Sequence, residues 1–409
     1  MSLVSLCDMS DVNTEHLYTQ RLYSTVNNAD LLEFRIPPNT RGHLDLSNVL
    51  LHFKVKIPDI RDEKVTKLRG QNFLGPKQFS SLEIRINGET VTRRSCANEY
   101  FLSSYFQYTS NYAIDYQVSA CRTVGIFDPI MATTTVITNL SAGSKAGLEH
   151  ARTNATGGNE YEILMPIDST IFYTNDLLPS NTSIDLSFER TSAKFCSIQF
   201  PPKKAMADSY IELTDVYLSL PYKKSEALFQ LERNAISRPI KIKYDDYVIK
   251  RFNIPKGTSS VMMSNLLSGP FPHKLFWGVQ TMDSYGGSVN NSSTLFNRNN
   301  MSKANLYIDG KEVDGYPVSM TSSHVAQPYV KFLQNTNQQL NGFLSRTLSF
   351  EEFEKYSFIL SNAFNQYESG SISFELDFEN VIADDLVLIT CGLYNKSLKI
   401  DHNRNFQII

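Results

Sequence analysis

Short runs of alternating apolar and polar residues recur along the chain. His52-Phe53-Lys54-Val55-Lys56-Ile57, Ile184-Asp185-Leu186-Ser187-Phe188-Glu189 and Ile372-Ser373-Phe374-Glu375-Leu376-Asp377-Phe378 change character at every position. That period of two predicts strands with one buried face and one wet or partner-facing face. Ile211 to Leu220 and Leu386 to Leu393 are more continuously apolar and predict strands covered on both sides. Helical spacing is confined to short stretches: Asn98 to Phe106, Val325 to Leu333, Glu226 to Glu232, and a turn opened by Ser349-Phe350-Glu351-Glu352, in which Ser349 and Glu352 make a capping box. The expected class is all-β, antiparallel sandwiches with short helices and long surface loops. The loops are 128–160 and 284–302, rich in Gly, Ser, Thr and Asn, and exposure is expected because their backbone has no regular partners.

Two segments recur in the same order at nearly the same offset. Phe34-Arg35-Ile36-Pro37-Pro38-Asn39-Thr40 returns as Phe252-Asn253-Ile254-Pro255-Lys256-Gly257-Thr258, and Leu82-Glu83-Ile84-Arg85-Ile86-Asn87-Gly88-Glu89-Thr90-Val91 is echoed by Asn305-Leu306-Tyr307-Ile308-Asp309-Gly310-Lys311-Glu312-Val313. Asn87-Gly88 and Asp309-Gly310 read as two-residue hairpin turns, since Asn, Asp and Gly tolerate positive φ. A repeat of this kind predicts two similar domains. Their expected bounds are 30–220 and 239–409, with a connector over 221–238 and an amino-terminal arm over 1–29. The connector is too short and too apolar to be a flexible linker.

A chain of 409 residues accommodates two such domains. Its 39 basic and 42 acidic residues leave a net charge of −3, which excludes a polyanion binder working through overall charge. Basic character is local, at Arg93-Arg94, Lys203-Lys204, Lys223-Lys224 and Lys241 with Lys243. The five cysteines have no paired spacing and read as reduced thiols. No secretory leader and no 18-residue apolar run is apparent, so no membrane-spanning segment is expected.

The search for chemistry returns little. The seven histidines include no His-x-His pair and no His-Glu-x-x-His motif, so neither a metal nor another cofactor is expected. Phosphate loops and nucleophile elbows are also missing. Asp245-Asp246, Glu351-Glu352 and Asp384-Asp385 are adjacent rather than opposed across a cleft. The chain is not expected to be an enzyme.

The second half resembles the carboxy-terminal jelly roll of double jelly-roll, hexon-like major capsid proteins of Polinton or Maverick elements and adintoviruses. The resemblance is carried by Pro272-His273-Lys274-Leu275-Phe276-Trp277-Gly278-Val279, by Asn305 to Val313, and by Leu398-Lys399-Ile400-Asp401-His402-Asn403-Arg404-Asn405. It extends more weakly to Arg41 through Leu46 and to the Ile86-Asn87-Gly88 turn, while Asn362 to Tyr367 departs from the family's FDLTPD-like passage. The resemblance implies two eight-stranded jelly rolls side by side. It also implies homotrimers forming pseudohexameric capsomers, penton or minor capsid proteins as partners, an icosahedral virion capsid as location, and nonspecific contact with packaged double-stranded DNA. Arg93, Arg94, Tyr222, Lys223, Phe271, Trp277 and Tyr329 are the interface candidates, because charge-assisted contacts and aromatic anchors tie such interfaces. For the apolar members a place in the chain's own core is the favoured alternative. A receptor-binding or adhesive β-sandwich protein is the competing function.

Overall fold

The computed structural model describes residues 15–56, 67–70, 74–92, 97–111, 160–174, 176–200, 210–234, 240–288, 291–313, 315–320, 324–335, 350–355, 358–364, 368–401 and 406–408. Eight principal strands make the first half: β1 (Glu15–Tyr23), β2 (Leu31–Ile36), β3 (Leu50–Lys56), β4 (Phe79–Ile86), β5 (Glu89–Thr90), β6 (Glu160–Pro166), β7 (Ile184–Arg190) and β8 (Glu212–Lys224). The second half has β9 (Ile240–Ile254), β10 (Ser260–Pro270), β11 (Lys274–Thr281), β12 (Met301–Ile308), β13 (Lys311–Glu312), β14 (Leu360–Ala363), β15 (Ser369–Phe378) and β16 (Leu386–Ile400).

One sheet of the first half runs β6-β3-β8-β1 and the other β2-β7-β4-β5. The second half repeats that order eight strands later, as β14-β11-β16-β9 and β10-β15-β12-β13. Apart from the hairpins β4-β5 and β12-β13, successive strands alternate between facing sheets and pair antiparallel with non-neighbours in sequence, which is a jelly-roll-like path. Short accessory strands bring the four sheets to six, five, five and five members, and Lys67–Gly70 with Ser197–Phe200 adds a two-stranded ribbon. The strand count therefore exceeds the sixteen expected.

The alternating runs fold as the pattern demands. Leu51, Phe53 and Val55 of β3 and Ile184, Leu186 and Phe188 of β7 are buried at 5% exposure or far less, and Phe53 and Phe188 meet the edge and face of Phe79. In the second half Trp277 of β11 stacks edge-on against Phe374 of β15, 4.9 Å between centroids. Both cores are thus sheet-on-sheet aromatic and aliphatic packing.

The hairpin match is structural. Asn87 and Gly88 have φ of 49° and 87°, Asp309 and Gly310 of 48° and 76°, so both turns carry two left-handed residues. Each turn also reaches the strand beside it in the same way. Asn87 Oδ1 accepts the backbone N–H of Ser183 at 2.8 Å, and Asp309 Oδ1 accepts that of Ser371 at 2.8 Å. The Phe34 match is not structural: Phe34 lies on β2 in one sheet, whereas Phe252 lies on β9 in the sheet that corresponds to the other. Both strands are followed by a proline, and so short a motif recurs without equivalence of position.

Two further expectations meet a different structure. Within the segment read as an arm, Glu15–Tyr23 is β1, paired with Tyr217 to Lys224 of β8. Its residues are exposed or half-buried throughout, so no apolar alternation announces it. Segment 284–302, expected on the surface, has Ser284, Ser292, Ser293, Thr294 and Phe296 at 1% exposure or less. Its polar groups bond locally instead of to water: Ser292 and Thr294 hydroxyls lie 2.7 Å apart, and Gln280 Nε2 donates to the Ser293 carbonyl at 3.0 Å. Residues 128–159 of the other loop, together with Ser349 and Lys203-Lys204, lie outside the described residues.

Candidate assembly surfaces

Among the described residues five α-helices are five residues or longer: α1 (Glu99–Asn111), α2 (Glu226–Asn234), α3 (Met282–Gly286), α4 (Ala326–Asn335) and α5 (Phe350–Lys355). Helix α1 belongs to the first half but packs on the second. Tyr105 stacks on Phe296 at 5.3 Å, and Phe106 faces both Phe296 and Phe276. Phe276, Gly278 and Gln280 are the outward residues of β11, and Gly278 is required because a Cβ there would stand 2.7 Å from the Phe296 ring. Beside them in register lie Cys391, Ile389 and Val387 of β16, all fully buried. The continuous apolar run of β16 therefore faces the other sheet on one side and the first half on the other.

Polar contacts complete this seam. The Tyr285 hydroxyl donates to the Ala97 carbonyl at 2.8 Å, Asn98 Nδ2 donates to the Tyr285 carbonyl at 2.9 Å, and the Arg251 guanidinium lies 5.3 Å from the Tyr285 ring centre. On its first-half side α1 is held by Asp168, 2% exposed, which accepts from Ser104 at 2.6 Å and Tyr173 at 2.5 Å. Burial pushes the Tyr173 phenol well up, with the nearby Tyr100 and Tyr247 adding to it. A helix buried on this many sides fixes the two halves as one unit.

Among the described residues the corresponding sheet of the first half is open on its outer face. One row crosses all four strands: Tyr23 of β1 opposite Tyr217 of β8, Tyr217 opposite His52 of β3, and His52 opposite Leu164 of β6. Tyr23 is 59% and Leu164 38% exposed. His52 stacks on Tyr217 at 4.2 Å, its Nε2 lies 2.7 Å from Glu162, and Arg21 covers the other part of the Tyr217 ring at 4.9 Å. A mixed Tyr, Arg, His and Leu surface of this kind has the composition of a recognition face rather than of a core. Sequence reasoning missed it because the row is assembled from four strands and begins in the segment read as an arm.

Near the end of the same sheet stand Tyr222 and Lys223. Tyr222 is buried and packs on Tyr18 at 5.1 Å, while Lys223 Nζ reaches Asp45 at 2.6 Å. Burial drives the Asp45 carboxyl upward, but donation from Lys223, Asn48 and Ser47 outweighs it and holds the group below its ordinary value. Close by, Glu232 of α2 accepts the Ser180 N–H and hydroxyl at 2.7 and 2.6 Å and lies 3.2 Å from His43, which pins the helix between the halves to the first sandwich. Trp277, Phe271 and Tyr329 are buried within the second half, Tyr329 against Phe350 and Phe353. Arg93 and Arg94 lie outside the described residues. Tyr222 and Lys223, adjacent on β8, face opposite sides of the sheet, and the other described candidates are buried in the second half, Tyr329 between its helices.

Among the described residues no group of three His, Cys, Asp or Glu side chains is placed to hold a metal ion, and no helix is long and apolar enough to cross a membrane. No protein-family model and no curated protein matches the sequence. Solved structures do match along nearly the whole chain. VP54 of PBCV-1, fitted into a reconstruction of the virophage Sputnik, aligns at 10% identity over 97% of each chain with a TM-score of 0.59. The mavirus major capsid protein aligns at 11% identity over 96% of this chain and 90% of that one, TM-score 0.55, and the Faustovirus major capsid protein at 9% over 94% and 90%, TM-score 0.57. The chain has the fold of these capsid proteins. At such identities the likeness is one of architecture, and it spans both halves and the seam between them.

Proposed function

We propose that this chain is a major capsid protein: a double jelly roll, eight principal strands in each sandwich, that forms trimeric, pseudohexameric capsomers tiling an icosahedral shell around a DNA genome. The observation that carries the reading is the repeated sheet order, β6-β3-β8-β1 with β2-β7-β4-β5 and then the same order again, in a chain that shares its fold end to end with viral major capsid proteins. A duplicated sandwich places two like walls in one subunit. Three copies then supply six walls, and closed symmetry lets every copy bury the same surfaces. The blocks around Trp277, Asp309-Gly310 and Ile400 support placing it near the capsid proteins of Polinton or Maverick elements and adintoviruses.

Light scattering on the purified full-length chain, followed by negative-stain imaging of the same samples, tests the proposal. The expected species has three times the mass of one chain, with six-lobed particles or closed shells built from it. A monomer at every salt, pH and concentration tried overturns it in favour of a binding module.

A further inference from the structure

We infer that the end of the second sandwich where β9 begins and β16 finishes is a phosphate-binding surface for packaged duplex DNA, held by Lys241, Lys243 and Lys399. This rests on the capsid reading for the presence of a packaged genome, and it names the residues and the end of the subunit that meet it.

In the antiparallel register Lys241 of β9 stands directly opposite Lys399 of β16, and Lys243 stands opposite Ser397. The three lysines therefore share one face, their backbone positions about 5 Å apart across the strands and ~7 Å apart along β9. Lys241 and Lys243 are exposed and Lys399 is half-buried. Like charges placed directly opposite destabilise a strand pair, and nothing described in the chain relieves them. Among the described residues none of the three ammonium groups makes an ion pair or a hydrogen bond. The carboxylates that follow along β9 are engaged elsewhere, Asp246 with Lys396 and Asp245 with His273 at 4.0 Å. The unmet requirement is an anion with several oxygens, which a phosphate supplies.

The opposite end of the same two strands is acidic. Asp384 and Asp385 precede β16, Glu379 follows β15 and Asp283 lies in the first turn of α3, all four exposed. Against them stand Lys256 and Arg298, the latter paired with Glu379 at 3.4 Å. Strand β8, the counterpart of β16 in the repeated order, runs the same way from exposed Glu212 to exposed Lys224. Glu15 faces Lys224 across the register, which leaves the second half with the stronger patch. A net charge of −3 thus hides a subunit that is electrically polar along its strands, and a polyanion enclosed by a shell is attracted to one end and repelled by the other. The neighbours of the lysines select the kind of anion. Ser397 and Gln407, opposite Lys243 and Lys399, are polar and offer an acyl layer nothing to bury, which fits a nucleic-acid backbone rather than an anionic bilayer. Three contacts per chain are weak alone, and repetition over the copies of a capsomer sums them.

The test uses the full-length chain and a fluorescent duplex of mixed sequence, with anisotropy read from low to high salt. Lys241→Gln/Lys243→Gln/Lys399→Gln is compared with wild type and with Lys56→Gln/Lys256→Gln/Lys311→Gln, which removes the same charge at exposed lysines elsewhere; circular dichroism reads the fold of each. Wild type and the control are expected to bind with a steep salt dependence. The triple variant at the patch is expected to lose about 2.7 per chain from the slope of log affinity against log salt, about 0.9 for each phosphate contact. Acetylation footprinting of wild type with and without the duplex is a second readout that needs no variant, and Lys241, Lys243 and Lys399 are expected to lose reactivity. Vesicles of phosphatidylserine and phosphatidylcholine are the competing probe. An unchanged slope in the triple variant, lysines that stay reactive, or a wild type that takes the vesicles and not the duplex overturns the inference and leaves the capsid reading standing. Light scattering on the same samples keeps the two apart, since a chain that is monomeric under every condition removes the capsid reading and this inference with it.

Discussion

Replacing the first residue of each hairpin turn separates two contributions that the duplicated architecture predicts to be alike. At Asn87 and at Asp309 the backbone is left-handed, with φ of 49° and 48°, and an alanine held there costs about 1–2 kcal/mol. Each side chain also accepts one backbone N–H at 2.8 Å, a bond worth about 1 kcal/mol net. Asn87→Ala and Asp309→Ala lose both contributions, about 2–4 and about 2–3 kcal/mol. Asn87→Gly and Asp309→Gly keep the conformation and lose only the hydrogen bonds, about 1 kcal/mol at Asp309 and about 1–2 kcal/mol at Asn87, where the Ser183 hydroxyl also donates to Oδ1 at 3.1 Å. Because the Ser371 N–H is exposed and the Ser183 N–H is half-buried, water replaces the lost acceptor more readily at Asp309, and its glycine variant is the milder of the two.

Thermal melts by circular dichroism read these differences. With both halves unfolding as one unit of 409 residues, an unfolding entropy of about 2.1 cal/mol/K per residue makes 1 kcal/mol worth roughly 1 °C in Tm, so the alanine variants are expected to fall about 2–4 °C and the glycine variants about 1–2 °C. Gly88→Ala and Gly310→Ala serve as controls for conformation alone, since an added Cβ meets nothing within 4 Å at either site while φ stays positive. Equal losses for alanine and glycine refute the conformational term. A full loss at Asn87 with none at Asp309 refutes the equivalence of the two halves at this turn.

Other expectations follow from the same geometry. Asp45, held below its ordinary value by its donors, contributes stability that is present above the unfolded carboxylate pKa, about 3.9, and is lost as pH falls through the lower folded value; Tm measured against pH is expected to show wild type and Asp45→Asn converging under acid and separating above about pH 4. Gly278→Val drives a side chain into the Phe296 ring and toward the Phe358 carbonyl, 2.7 and 3.1 Å from the first added carbon, and is expected to cost about 1–3 kcal/mol as a lower urea midpoint; an unchanged midpoint means the seam is looser than described. Trp277 is the only tryptophan and fully buried, so its emission is expected to be blue-shifted in the isolated subunit and unchanged on assembly; a shift on assembly places it at a contact between copies after all.

What the sequence discloses and what it hides divide along physical lines. The hairpin turns are legible because few residue pairs accept two left-handed conformations in a row, and β7 and β15 are legible because one face is buried and the other wet. The double cover on β16 also shows, as an unbroken apolar run from Leu386 to Leu393. Strand β1 does not, since hydrogen bonding along β8 orders it without burying a face of its own. The 284–302 segment misleads for the opposite reason: Ser292, Ser293 and Thr294 are polar residues taken into the seam by hydrogen bonds to each other and to Gln280, and composition alone assigns such residues to water. The open face escapes because Tyr23, His52, Leu164 and Tyr217 become neighbours only after four strands are in register.

The outer faces of the two corresponding sheets differ in chemistry. The covered face is Phe276, Gly278, Ile389 and Cys391 beneath Phe106 and Phe296, an apolar surface with the character of a domain core, and the two halves that share it are never apart because one chain carries both. The same apolar area left uncovered on the other sheet would be a large exposed patch, a liability for association. The open face meets the constraint with Tyr217 capped by His52 and Arg21, carboxylates at Glu160 and Glu162, and large apolar exposure limited on that row to Tyr23 and Leu164. Contacts of that mixed kind bind reversibly where a core-like interface would be permanent. The two sheets are built alike in strand order, and the cover that the first half supplies to only one of them among the described residues accounts for the difference between their outer residues.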